Sequence, residues 1–394
     1  MPFAEGVGLL SAPLSRPKGG QDLPLFLVRL MSRTDVFVYA CWWLMALLVI
    51  GTVAQREIGL HAAQARYFSS WVLTVWGFVP LPGGRLTMLV VFMGLTLFLV
   101  RRFSLRPRKL GITIVHSGGL LLLIGGFVTA YFASEGSMAI GEGESASFVT
   151  DYHKRELVLV NSGPEGHDSV TAFGESLLRP GGVLSAPDLS WQVEILHAFE
   201  NCRFVERSED PPQDARGLYQ RLDLVEEPSA AEDEQNLRGL LYRVLGTAEE
   251  DGVYALVERQ KVSPEIGSEE NARKLIFRRA RRYLPFSIEL DDFEKRLHPG
   301  TGMAQSYQSV VYVVDGETRR RVVISMNEPL RYRGHTFYQS SFIEGAAGDT
   351  TILAVVRNAG RMMPYIASVV MCVGLLLHLL AQVPRLARKK EGEA

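Results

Sequence analysis

Two of the chain's eight histidines lie inside apolar runs. His116 is in GITIVHSGGLLLLIGG (111–126), and His378 is in PYIASVVMCVGLLLHLLAQV (364–383). Hydrocarbon supplies no partner for an imidazole, so a histidine in such a run is either hydrogen-bonded to a neighbouring helix or holds a ligand. Imidazole nitrogen is an axial ligand for haem iron, and two imidazoles facing one gap between helices would hold a porphyrin in an apolar interior. His116 lies seven residues after Lys109 and His378 seven before Arg385, each about 10 Å at 1.5 Å per residue. That spacing predicts that both rings lie at one depth. Ser117, Gly118 and Gly119 leave room beside His116 for a flat macrocycle or for a closely packed helix.

The other candidates lie outside the apolar runs. MNEPLRYRGHTFYQSSF (326–342) mixes aromatics with Arg331, Arg333 and His335. Such a stretch could hold an acidic aromatic ligand, with arginine at its carboxylates, or could be a strand and turn packed onto a sheet. His61 follows the first apolar run; there it could receive or pass on a ligand, or simply be solvated. His153, His167, His197 and His298 read as surface or sheet residues. Cys41 and Cys372 lie in apolar runs and Cys202 stands apart, so all three read as small buried residues. The absence of CxxC argues against a dithiol relay or a thiolate zinc site, and without CxxCH the chain is not itself a c-type cytochrome. No Ser/His/Asp order, phosphate-cradling glycine loop or HExxH is present, and no residue reads as an acid–base catalyst.

These residues must be positioned by two very different kinds of element. The 394-residue chain has a formal net charge of −1, which argues against a polyanion binder, and no nucleic acid is expected. Its mean hydropathy of +0.08 averages over a strong segregation. VFVYACWWLMALLVIGTVA (36–54), RLTMLVVFMGLTLFLV (85–100), ITIVHSGGLLLLIGGFVTAYF (112–132) and 364–383 are read as four transmembrane helices. WVLTVWGFVPLPGG (71–84) is expected in the membrane interface, where tryptophan is favoured. Arg29 and Arg33, the five basic residues of RRFSLRPRK (101–109) and RLARKK (385–390) share one side only with an even number of spans. Both termini are therefore expected in the cytoplasm and 134–361 outside. Segment 134–361 reads as strands at 191–199, 217–226, 252–260, 307–315, 320–326 and 350–358, an antiparallel sandwich or open barrel. Acidic 208–217 and 226–236 read as surface loops.

The resulting expectation is a membrane α+β protein. A cytoplasmic arm (1–35) precedes three transmembrane helices with their loops (36–133). A β-rich extracytoplasmic domain (134–361) is inserted between the third and fourth helices, the latter at 362–384, and a basic cytoplasmic tail (385–394) follows. No cleavable signal is expected before the first span.

This order of parts, with IGTVAQ (50–55), YFSSWV (67–72), VHSGGLLLLIGG (115–126), LPFSIELDDFEKRLHPGT (284–301) and MNEPLRYRGHTFYQSSF, resembles the ResB (CcsB) family of System II cytochrome c biogenesis proteins. The matches are spread in order over nearly the whole chain. The resemblance implies a ResC (CcsA) membrane partner, haem b as a transiently held substrate, and apocytochrome c as the acceptor of covalently attached haem. It also implies an inner (plasma) membrane location among lipids, and an indirect dependence on thiol–disulfide reductases. The family's third-helix haem histidine maps onto His116; a second axial ligand would come from His378 or from the partner. The tryptophans, Trp42, Trp43, Trp71, Trp76 and Trp191, form no haem-handling cluster, so the chain reads as one half of the assembly. A b-type cytochrome with a bis-histidine haem at His116 and His378, or a scaffold for apocytochrome that binds no haem, are the competing readings.

Overall fold

A computed structural model describes residues 30–392 except 32, 105, 163–167, 188, 268–271, 301–303 and 347. The arm up to residue 29, and His167, lie outside the described residues. The chain divides into a helical unit, 1–133 with 359–394, and a β unit, Ser134–Asn358.

The helical unit is built from α1 (Thr34–Ile58), a short α2 (Leu60–Ala63), α3 (Gly84–Arg102), α4 (Pro107–Phe132) and α5 (Met363–Gly392). Four of these, all but α2, are long and apolar enough to cross a membrane, and at most 28% of any spanning window is buried. Helices with so much bare apolar surface need a hydrocarbon solvent. Between α2 and α3 stands the hairpin β1 (Val72–Val75)–β2 (Val79–Pro82). Its tip is Trp76–Gly77, both at positive φ (52° and 79°), and Trp43 Nε1 of α1 ties its far strand down by donating to Pro82 O at 2.8 Å. Two of the sequence stretches singled out above meet here: a Cβ on Gly51 would lie 2.7 Å from the Phe68 ring.

The tightest helical packing is between α4 and α5, antiparallel. Gly111, Gly118 and Gly125 recur every seven residues on α4, and Gly360, Ala367 and Gly374 recur every seven on the opposing segment. A Cβ on Gly111 would lie 2.5 Å from His378 N, one on Gly118 3.1 Å from Ala367 O, and one on Gly374 2.7 Å from Val115 N. Backbones this close pack by dispersion where lipid removes the hydrophobic drive. Helix α5 runs on to Gly392, through residues expected to be a tail; RLARKK (385–390) contains only good helix formers.

In the β unit the strands are β3 (Ser134–Gly141), β4 (Ser145–Ser162), β5 (Asp168–Gly174), β6 (Val183–Leu184), β7 (Gln192–Phe199), β8 (Cys202–Glu206) and β9 (Leu222–Glu226). They continue with β10 (Gly239–Leu245), β11 (Gly252–Val257), β12 (Glu265–Ile266), β13 (Arg273–Leu297), β14 (Ala304–Asp315) and β15 (Thr318–Ser325). The last are β16 (Leu330–Tyr332), β17 (His335–Ile343) and β18 (Thr350–Arg357). All pairing between strands is antiparallel. The main sheet runs β15-β14-β13-β4-β3-β18-β17-β16, with β12 on β13 and β5 on β4; a second sheet runs β11-β10-β7-β6.

Long strands β4 and β13 serve two lobes. In the first, Leu157, Leu159, Leu275 and Phe277 share a core with Trp191 and with Ile195, Leu240 and Tyr242 of the second sheet. In the second, the main sheet curls so that Met138, Ile288, Val311, Ile324, Phe337 and Val355 fill one core. The switch falls where the register jumps, from Arg279↔Arg155 to Arg281↔Thr150. Residues 151–154 bulge out there, held by Asp151 Oδ1 accepting from the amides of His153 and Lys154 at 3.0 Å each. Expected strands at 191–199, 252–260, 307–315, 320–326 and 350–358 are present. The one at 217–226 begins only at Leu222, because Gly217–Gln220 turns as a 3-10 helix.

Candidate functional site

His116 sits mid-helix on α4, and its surroundings fix its tautomer. Its Nδ1 lies 2.8 Å from Ile112 O, one turn back. A carbonyl can only accept, so Nδ1 carries a proton, and in the neutral form of the ring the lone pair is on Nε2. The ring lies against Phe98 of α3, centroids 4.8 Å apart and 30° from parallel. Arg102 stands over the same phenyl ring at 5.5 Å. An imidazole oriented through Nδ1–H to a carbonyl and open at Nε2 is the arrangement that metal-ligating histidines adopt. The residues fit a haem iron on that ground.

His378 does not join it. The α4–α5 register sets the His378 backbone beside Gly111, five residues short of His116 and so about 7.5 Å along the axis. Five residues also turn the helix by about 140°, which carries His116 away from α5 and onto α3. The expectation that both rings share one level is corrected. It measured each ring from the nearest basic residue, whereas relative depth is set by the register between the two helices. The His378 ring is also engaged differently: Gln382 Nε2 donates to its Nε2 at 2.6 Å, while Nδ1 is buried with no hydrogen-bond partner. Of the small residues after His116, Gly118 is taken up by α5, and Gly119 faces Leu95 of α3 at 3.7 Å.

The basic–aromatic stretch in the β unit resolves into a hairpin, β16–β17, with Arg333–Gly334 at its tip at φ 43° and 78°. Its aromatic half points into the second core: Phe286 meets Tyr332 edge-on at 4.9 Å, and Phe337 is fully buried. Asp315 accepts from Tyr332 Oη and pairs with Arg333 Nη2, both at 2.7 Å. Arg331 is exposed on the outermost strand. His335 is buried, with Nδ1 on Arg333 O at 3.1 Å. Desolvation pushes its pKa below the usual 6.5, and nearby Arg282 and Arg357 add to that. His61 lies exposed on α2. Burial pushes the Cys202 thiol up to about 12 while Sγ donates to Leu237 O, as an inert structural cysteine would.

Sequence reasoning missed one charged group altogether. Arg155, 1% exposed, pairs through Nε with Glu258 at 2.7 Å, and Arg279 lies 3.4 Å from the other carboxylate oxygen. Nothing local in the sequence announces it, because the partners are about a hundred residues apart.

Fold and site together define an α+β protein with four membrane-length helices, a two-lobed β unit, and a histidine open at Nε2 within one helix. A family model described as the ResB-like family matches residues 250–353, from just before β11 into β18, including both quoted stretches of that region. The match to the ResB-like family thus covers this part of the β unit. The chain is 25% identical to Protein NrfI of Wolinella succinogenes over 279 residues, 69% of this chain and 27% of that protein. The chain thus spans about a quarter of that relative's length.

Proposed function

We propose that the chain is a membrane subunit for cytochrome c biogenesis, which holds haem b at His116 and presents apocytochrome c for covalent attachment beside a ResC-type partner. The observation that carries this reading is the Nε2 lone pair of His116 in a chain that matches the ResB-like family over residues 250–353. Haem iron takes nitrogen ligands at its axial positions. Ile112 O would hold the ligating tautomer, and Phe98 would fix the ring plane. Because His378 lies at another level, the second axial ligand is assigned to the partner, which favours this reading over a self-contained bis-histidine cytochrome. Basic residues at 101–109 and 385–390 orient the spans with the β unit on the outer face of the inner membrane.

The test is co-expression with a ResC-type partner and an apocytochrome. His116→Ala abolishes the Soret band of the purified complex and the attached c-haem, and added imidazole restores both; His378→Ala retains them. Normal maturation in His116→Ala overturns the proposal. A complex that never shows a Soret band supports the haem-free scaffold instead.

A further inference from the structure

The segment SSWVLTVWGFVPLPGG (69–84), which contains the hairpin β1–β2, has no charged residue. Much of its surface is apolar and bare: Trp71 is 49% exposed, Val72 53%, Trp76 82% and Phe78 76%. At the tip, Trp76 and Gly77 both have positive φ, and Phe78 N donates back to Val75 O at 3.4 Å. Asn-Gly is the pair that such a turn favours. A bulky tryptophan in that backbone region is strained, and at this exposure its ring gains little burial from the fold in return. Strand β2 also carries Pro80 and Pro82, which have no N–H to leave unpaired on a free edge.

The hairpin ends one residue before α3 begins at Gly84. That helix has 19 residues, about the shortest length that crosses hydrocarbon. When it crosses, its first residue and the hairpin joined to it lie at the membrane surface, where Trp43 Nε1 also holds Pro82. Two exposed arginines flank the base of the hairpin. Ser70 Oγ donates to Arg66 O at 2.5 Å, and Arg85 N donates to Ser70 O at 3.1 Å. The guanidinium groups stand over Tyr67 and Tyr131, each at 5.6 Å, and no acidic residue occurs between Glu57 and Glu135. We infer that the hairpin binds an anionic phospholipid surface, with Trp76 and Phe78 seated among the headgroups and Arg66 and Arg85 on the phosphates. Burial of the indole at the interface then offsets the strain of the turn. Lipid is favoured over a protein partner because the apolar surface is joined to a membrane-length helix and flanked by positive charge that complements a layer of phosphates. The inference rests on α3 crossing a membrane and is independent of haem at His116.

The test uses the full chain, reconstituted alone in vesicles of phosphatidylcholine with phosphatidylglycerol. Flotation after a carbonate wash reports the spans separately. The wild-type spectrum minus that of Trp76→Asn gives the emission of Trp76. It is expected to be blue-shifted from tryptophan in water and shielded from acrylamide. Brominated phosphatidylglycerol quenches it more than brominated phosphatidylcholine at the same mole fraction. Arg66→Gln and Arg85→Gln each lower that preference about fivefold, the worth of one basic residue near an anionic surface, and leave quenching by phosphatidylcholine unchanged. In detergent, Trp76→Asn unfolds no earlier than wild type, because asparagine fits the turn. A chain that floats with Trp76 emitting as in water, equal quenching by the two lipids, or shielding that appears only with a ResC-type partner each overturn the inference.

Discussion

At the scale of single residues, the chemistry is decided by what each polar group can reach. His116 is held through Nδ1 alone, whereas Glu258 is fully committed between Arg155 and Arg279. Glu258→Gln leaves Arg155 and Arg279 without their buried countercharge, and is expected to destabilise the β unit by about 3–5 kcal/mol, read as a large fall in its thermal unfolding midpoint. His335 makes a pH-dependent contribution. Its folded pKa lies below the unfolded 6.5 because of burial, so the unfolded chain binds more protons beneath that value. Stability is therefore complete above pH 6.5 and declines as pH falls from there toward the lower folded pKa. Thermal scans from pH 7.5 to 5 should show wild type losing more than His335→Gln; parallel curves would refute the assignment.

At the scale of elements, the α4–α5 seam is the most sharply constrained part of the helical unit. Gly111→Ala drives a methyl into the His378 and Gly374 backbones, at 2.5 and 2.7 Å. Overpacking of this kind costs about 1–3 kcal/mol. Gly126, on the same helix, has nothing within 4 Å of a Cβ. Gly126→Ala should therefore leave the unfolding temperature in detergent unchanged while Gly111→Ala lowers it. The seven-residue glycine spacing on α4 is readable in the sequence, but which helix it meets, and in what register, is not. That register is what separated the two histidines. Strand β13 shows the same limit. RRARRYLP reads poorly as a strand because its charges and proline break the alternation. In the fold Arg278 pairs with Glu156 at 2.9 Å and Arg279 lies by Glu258, both brought in from remote segments.

At the scale of the whole molecule, the proposed orientation requires that all four membrane-length helices cross, with the two chain ends on one side. Alkaline phosphatase fused after Gly316, in the turn between β14 and β15, is expected to be active in a bacterial host, and inactive when fused after Ala394. The opposite pattern would reverse the orientation and move His116 to the other half of the bilayer. The two β lobes share β4 and β13 and so form one unit of two cores, with the buried arginine at their junction.

The sequence by itself determined the four membrane-length helices, the β-rich segment between the third and fourth of them in chain order, most of its short strands and the family resemblance. Length, apolarity and alternation are local properties, and each is read within a window of twenty residues or fewer. Tertiary structure alone decided that His116 turns to Phe98 and not to His378, that Tyr332 and Phe337 of 326–342 pack into a core, and that Arg155 is buried against Glu258. Those outcomes depend on the register between segments far apart in the chain. Register is set by which backbones can approach and which buried charges can pair.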